Sequence, residues 1–249
     1  MSAPPSKDPH SMRLLFNAIA ERYDLANSLM SFHAHALWNR VLVRTILSGR
    51  CARLLDLCSG TGDIAFRLLR SAKQPPHITL SDISENMLAI AQRRATRLAP
   101  CLQSQLAFCQ ADAHALPFDT GAFDTVSIAY GIRNLCDLAR ALHQIWHVLA
   151  PGGRLLILEL TRPQGPILAR LHAAYLRTAL PLIGAAITRK REAYTYLPES
   201  IHHFLAPSEL TRALHEARFT ACKVRPLFGG IATLLTAEKA AHCIPCCHV

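Results

Sequence analysis

Asp56-Leu57-Cys58-Ser59-Gly60-Thr61-Gly62-Asp63 is the stretch on which the fold of this chain turns. A short apolar run, Arg53 to Cys58, leads into it, and a helical pattern leaves it from about Asp63 to Ser71, so the octet reads as a strand-to-helix turn. Gly60 and Gly62 free the backbone there for unusual φ/ψ and for close approach to a ligand. A Gly-x-Gly alone is weak evidence. Asp82 strengthens it by closing the next apolar segment, Ile78 to Asp82, about 20 residues further on, where a carboxylate can accept hydrogen bonds from both ribose hydroxyls of an adenosine.

A dinucleotide would rest its pyrophosphate on the N-terminus of the following helix, and the acidic Asp63 at that place would repel it. A cationic sulfonium with an amino-acid moiety suits the same acid, so the loop points to S-adenosylmethionine rather than to a nicotinamide dinucleotide. Asp112, in Ala111-Asp112-Ala113 after the third strand, is placed to take the adenine amino group.

Working outward, strands alternate with helices. Ser84 caps a helix reaching about Leu98, Gln105 to Cys109 is a third strand, and Phe123 to Tyr130 a fourth. Asp137 to Leu149 is a helix stopped by Pro151-Gly152-Gly153, and Arg154 to Leu160 is a fifth strand. The chain ends with a helix over Pro207 to Ala217 and strands over Thr220 to Val224 and Ile231 to Ala237, joined by a bend at Gly229-Gly230. Short apolar strands separated by helices indicate an α/β fold, a doubly wound, Rossmann-like parallel sheet covered on both faces.

Two segments stand outside that rhythm. Ser11 to Leu47 reads as two helices around a turn-rich Asn27 to His35, an N-terminal helical lid over residues 1–50. After strand 5, residues 163–198 form a helical flap, apolar through Leu168, Leu171, Tyr175 and Leu176 and then basic at Arg189-Lys190-Arg191. A single methyltransferase domain over 1–249 is expected, with 240–249 as a flexible tail.

With 51% hydrophobic and 18% charged residues the chain is not intrinsically disordered. No apolar run reaches the roughly 20 residues needed to span a bilayer, and Met1 to Arg13 has no signal-peptide core, so a cytoplasmic protein is expected. The net charge of +10 is carried by scattered Arg, with only five Lys, and does not mark a nucleic-acid surface. Cys51, Cys58, Cys109, Cys136 and Cys222 read as small buried hydrophobes inside strands and helices. The tail, with Cys243, Cys246 and Cys247, lacks the spacing of a haem or tetrahedral metal site, and no metal is expected.

Tyr23-Asp24-Leu25-Ala26-Asn27-Ser28-Leu29-Met30-Ser31-Phe32, Leu37-Trp38-Asn39-Arg40, Tyr130-Gly131-Ile132-Arg133-Asn134, Val148 to Glu159 and Tyr196-Leu197-Pro198-Glu199-Ser200-Ile201 together resemble the ubiquinone/menaquinone biosynthesis C-methyltransferases. The resemblance runs from about Leu14 to Lys239. It implies a class I S-adenosylmethionine methyltransferase fold and methyl transfer to a ring carbon of a polyprenylated quinol: demethylmenaquinol, or alternatively a 2-methoxy-6-polyprenyl-1,4-benzoquinol. Thr61, Asp82, Asp112 and Ala113 match the family's cofactor contacts, beside Gly60 and Gly62. Ser59, Ala129 and Leu235 depart from residues common in the family, Gly, Ser and His respectively.

The chemistry asks for a group that holds a phenolate while the ring carbon attacks the methyl, and for a path by which the ring proton leaves. Arg133 and Asn134, just past strand four, are the leading candidates, Arg133 as a permanent cation beside the oxyanion, with Tyr23 on the lid next. His143 and His147 read as surface residues. A nucleic-acid methyltransferase would carry an RNA-binding module or an Asn/Asp-Pro-Pro-aromatic tetrad where Tyr130-Gly131-Ile132-Arg133 stands, and a non-catalytic scaffold would have lost Asp82 or the glycine loop. The expected partners are the quinol, with peripheral contact to the inner face of the cytoplasmic membrane through the flap, and a second copy in a homodimer.

Overall fold

A computed structural model describes residues 7–180 and 191–241. Seven strands form one sheet in the order β3-β2-β1-β4-β5-β7-β6. They are β1 (Arg53–Leu57), β2 (His77–Asp82), β3 (Leu106–Gln110), β4 (Phe123–Ala129), β5 (Leu149–Leu160), β6 (Phe219–Leu227) and β7 (Ala232–Lys239). The first five are parallel, and β7 enters antiparallel between β5 and β6. Chain order reverses between β1 and β4, which opens a crevice outside their carboxyl ends.

Helices α4 (Asp63–Ser71), α5 (Glu85–Ala95) and α7 (Leu138–Val148) cover the sheet, with α6 (Pro100–Gln103) a single turn before β3. Ser84 and Asp137 cap α5 and α7, accepting from the backbone of Met87 and Arg140. One face is packed by Leu142, Ile145 and Val148 of α7, the other by Leu42, Ile64, Leu68 and Leu88. Leu54, Leu55, Val126 and Ile128 are consequently fully buried, as strands covered on both faces require.

Several boundaries differ from the sequence reading. Among the described residues the N-terminal region holds three α-helices, α1 (Pro9–Ile19), α2 (Tyr23–Met30) and α3 (Ala34–Leu47), with a 3-10 turn at Ala20–Arg22. Asn27 to Met30 is therefore helical. Ala26 and Met30 are buried against Ile19, Met87 and Leu176, and the break falls at Phe32 and His33, whose φ values are 48° and 60°. Strand β5 begins at Leu149 because Gly152, at φ 74°, lets Pro151-Gly152-Gly153 run through a register irregularity instead of ending the pairing. On the edge strand β6, Pro226 is tolerated and Ala221, at φ 50°, sits in a second irregularity.

After β5 come α8 (Pro166–Arg177), α9 (Arg191–His203) and α10 (Pro207–Glu216). Arg189 and Lys190 of the basic cluster lie outside the described residues, as do Cys243, Cys246 and Cys247. None of the described cysteines is fully buried: Cys51, Cys58, Cys109 and Cys222 are half-buried and Cys136 is exposed, contrary to the expectation of buried thiols. Cys136 lies in the loop ahead of α7, where no core closes over it. No helix among the described residues is long and apolar enough to cross a membrane.

Candidate active site

The loops leaving β1 and β4 meet back to back at the crevice. Cys58 and Tyr130, the residues just past each strand, both have left-handed backbone, at φ 55° and 60°. Such conformations cost energy in non-glycine residues and concentrate at functional sites. A side chain on Gly131 would bring its Cβ within 2.4 Å of Cys58 Cβ, so glycine is required for the two loops to approach this closely.

Asp82 organises the glycine loop. Its Oδ2 accepts from the Gly60 N–H at 2.8 Å and its Oδ1 from the Ser84 N–H at 2.9 Å. Burial raises the carboxyl above its ordinary range, against the pull of those backbone donors. Around it lies a small cavity of about 70 Å³ whose walls include Gly60, Asp82, Asp112, Ala113 and Asn134. Lys7, Met12 and Phe16 complete it from the N-terminal side. Asp112 accepts from the His114 N–H at 2.9 Å, and its Oδ1 stands 2.6 Å from His114 Nδ1.

Beneath the loop, Asp56 is 1% exposed, and burial pushes its carboxyl up to about 7. Its Oδ1 accepts from the Ser127 hydroxyl at 2.7 Å. Asp56 Oδ2 and Ser59 Oγ are buried with no partner among the described residues. Both residues line a larger cavity of about 500 Å³ on the other side of the glycine loop. These two unpaired buried oxygens fit a ligand bearing cationic and N–H groups, whose positive charge favours the ionised form of Asp56.

The larger cavity runs from the sheet ends toward the N-terminal helices and α8. Trp38, Leu168, Leu171, Tyr175 and Leu176 make it apolar, while Asn39 and Asp63 supply polar groups. Tyr23, Cys58, Gly60, Ala129 and Tyr130 line both cavities and form the partition between them. Burial raises the Tyr23 phenol above its ordinary range, so it stays protonated.

Arg133 lies in a 3-10 turn (Ile132–Asn134) after β4, with its guanidinium largely engaged by the protein. Nη1 donates to Glu159 Oε1 at 2.5 Å and to the Tyr130 carbonyl at 2.6 Å, and Nε donates to Ser200 Oγ at 3.3 Å. Burial works against its charge, and Glu159 more than offsets that, holding Arg133 above the ordinary arginine value. Nη2 has no hydrogen-bond partner among the described residues, and Arg133 lines the larger cavity. Asn134 faces the smaller cavity and accepts from the Tyr196 hydroxyl at 3.0 Å.

Thr61 and Gly62 stand apart from the smaller cavity. The Thr61 hydroxyl donates to Asp24 Oδ1 at 2.7 Å and accepts from Arg94 Nη1 at 3.0 Å, and Arg94 also pairs with Asp24. This staples α2 to the glycine loop, and Thr61 lines the larger cavity. Gly62 lines neither cavity. It starts α4 at φ 85°, where an added Cβ would reach 2.7 Å from the Phe66 ring. Among the described residues no cluster of three His, Cys, Asp or Glu is placed to hold a metal.

Lys7, Asn39, Asp56 and Glu159 are site residues that the sequence reading assigned no role. Asn39 and Glu159 lie within the family-like segments and Asp56 opens the octet, but each takes its meaning from a partner far along the chain. Lys7 carried no signal.

The chain matches the model of the ubiE/COQ5 methyltransferase family over residues 6–239. It is 40% identical to a demethylmenaquinone methyltransferase of Protochlamydia amoebophila, over 96% of this chain and 99% of that one. It is 40% identical to a ubiquinone/menaquinone biosynthesis C-methyltransferase UbiE of Methylobacterium nodulans, over 91% of this chain and 90% of that one. Among solved structures, a SAM-dependent methyltransferase of Thermotoga maritima superposes with a TM-score of 0.63 at 19% identity, over 92% of this chain and 99% of that one, a likeness of fold. Glycine loop, buried Asp82, partitioned cavities and sequence kinship agree: the chain belongs to the ubiE/COQ5 methyltransferase family and uses S-adenosylmethionine as its methyl donor.

Proposed function

We propose that the protein methylates a ring carbon of demethylmenaquinol, producing menaquinol. The observation that carries this reading is the pair of cavities sharing one partition: a polar one around Asp82 and Asp112, and a larger apolar one reaching α8. S-adenosylmethionine supplies an electrophilic methyl group on a sulfonium. Asp82 is the acceptor for its ribose hydroxyls, Asp112 with Ala113 meets the adenine, and Gly60 gives the backbone room. Asp56 Oδ2 and Ser59 Oγ offer the acceptors that a cationic amino-acid moiety needs, and Thr61 holds the lid helix α2 on the glycine loop.

On the acceptor side, the apolar wall of the larger cavity excludes water around an aromatic ring. Arg133, its charge fixed by Glu159, lends positive potential and one uncommitted nitrogen to a developing phenolate, which raises electron density on the ring carbon. Asn134 is held by Tyr196 and fixes the 3-10 turn that carries Arg133. Tyr23 closes the partition from α2. The N-terminal helices act as a lid within a single domain.

The mouth of the cavity supports peripheral contact with the membrane where a prenylated substrate resides. Phe32, Leu171 and Phe228 line the cavity and yet are 73%, 63% and 54% exposed, and Ile167 at the start of α8 is 75% exposed. Such a rim suits a prenyl tail passing into lipid. Expression in a bacterial strain lacking this methyltransferase tests the reading. Mass spectrometry of its quinones is expected to show menaquinone restored, and accumulation of demethylmenaquinone alone would overturn it.

A further inference from the structure

Tyr130, Asn39 and Asp63 form a hydrogen-bonded chain along the wall of the larger cavity. The Tyr130 hydroxyl lies 2.7 Å from Asn39 Oδ1, and Asn39 Nδ2 lies 2.7 Å from Asp63 Oδ2. All three residues line the cavity, and Tyr130 also forms part of the partition where the methyl group must cross.

The polarity of this chain runs one way. Asp63, ion-paired with Arg67 at 2.9 Å, is a carboxylate and can only accept. The Asn39 group facing it must therefore be the NH₂, which turns the amide oxygen toward Tyr130. That oxygen can only accept, so the Tyr130 hydroxyl must donate its one proton to it. Burial, with Glu159, Tyr23 and Asp63 nearby, raises the Tyr130 phenol well above its ordinary range, so the proton is not lost. Asn39 is 3% exposed on α3 and Tyr130 is held by the left-handed turn after β4, so neither is free to swing away. What Tyr130 presents to the cavity is an oxygen lone pair with no proton to give.

We infer that Tyr130, oriented by Asn39 and Asp63, is a specificity-determining residue that selects the reduced quinol over the oxidised quinone. The inference rests on a quinol being the acceptor. A quinol brings a hydroxyl that can donate to the Tyr130 oxygen, whereas a quinone brings a carbonyl whose lone pairs oppose it. A polar site lined for one hydrogen-bonding partner rejects the analogue that leaves it unpaired far better than an apolar pocket does. Only the reduced ring is nucleophilic enough to be methylated, so the selection keeps the unreactive quinone from occupying the site.

The test is binding of a short-chain demethylmenaquinone to the purified full chain under anaerobic conditions, oxidised and after chemical reduction. Quenching of Trp38, which lines the cavity, reports occupancy. The wild type is expected to bind the quinol at least about tenfold tighter than the quinone. Tyr130→Phe should bring that ratio near one, chiefly by weakening the quinol. Asn39→Leu, which leaves Asp63 its Arg67 partner and frees the Tyr130 hydroxyl to donate, should do so chiefly by strengthening the quinone. Should Tyr130→Phe not fold, the wild-type ratio and Asn39→Leu decide. A wild-type ratio near one, or a ratio unmoved in the folded variants, overturns the inference. A wild type that binds neither form overturns the quinol reading beneath it.

Discussion

Nη1 of Arg133 donates to Oε1 of Glu159 at 2.5 Å, joining the turn after β4 to the end of β5 with both side chains buried. Glu159 also accepts from the backbone N–H groups of Arg133 and Leu160, so it serves as the anchor of the turn. The pair gives Arg133 two duties, holding the turn and charging the cavity wall, and substitutions separate them.

Arg133→Ala strands Glu159 without a counter-charge. Breaking one side of a buried ion pair costs about 3–5 kcal/mol, a fall of roughly 6–20 °C in melting temperature for a domain of this size. Loss of turnover in this variant is therefore ambiguous. Arg133→Lys keeps the charge and removes the fork that reaches Tyr130, Glu159 and Ser200 together. It should retain most of the stability, shown by thermal unfolding, while kcat falls about tenfold or more. Unchanged turnover in a folded Arg133→Lys would assign Arg133 to structure alone.

Asp82→Ala removes the acceptor from the Gly60 and Ser84 N–H groups and, on the proposed reading, from the donor's ribose. Donor dissociation should rise about 10- to 150-fold, the equivalent of about 1.5–3 kcal/mol for hydrogen bonds to a charged group. Isothermal titration with S-adenosylhomocysteine measures this. A dissociation constant equal to that of the wild type would remove Asp82 from the donor site.

Asp56 makes stability depend on pH. With its carboxyl raised from 3.8 to about 7, the folded chain keeps a proton that the unfolded chain has released. Its contribution to stability is full below the unfolded value and is lost as pH climbs toward about 7. Asp56→Asn, which carries no such charge, should gain on the wild type by several degrees at pH 8 and by little at pH 4. Melting curves across that range give the difference. A gap that is constant with pH would mean that Asp56 is already ionised in the folded protein.

The Asp24–Thr61–Arg94 contact ties α2 to the glycine loop, but its ion pair is partly exposed and by itself adds only a fraction of a kcal/mol to global stability. Asp24→Asn should leave the melting temperature within about 3 °C of the wild type. Amide exchange in Tyr23–Met30 should become faster, and donor binding should restore part of the protection. Exchange confined to wild-type rates would show that packing against Met87 and Leu176 holds α2 without the staple.

Much of this was legible in the chain itself. Alternating apolar strands and helices indicated the sheet, and Gly60 and Asp82 marked the crevice, because these signals are local or depend on a fixed spacing along one βαβ unit. The helical state of Asn27 to Met30 was not, since it follows from burial of Ala26 and Met30 against α5 and α8. Nor was the start of β5 at Leu149, which depends on Gly152 adopting a left-handed turn. Arg133 and Asn134 were visible as a motif, whereas the pairing of Arg133 with Glu159 and the Tyr130–Asn39–Asp63 chain join residues that only the folded sheet brings together.

The most direct test of the methyl transfer itself uses purified protein, S-adenosylmethionine carrying a labelled methyl group, and chemically reduced acceptors. With demethylmenaquinol, the label is expected on the naphthoquinol ring carbon of an extracted menaquinol, in step with release of S-adenosylhomocysteine, and far less product is expected from 2-methoxy-6-polyprenyl-1,4-benzoquinol. Label carried to the benzoquinol in preference, or to neither ring while the protein still binds the donor, would contradict the assignment.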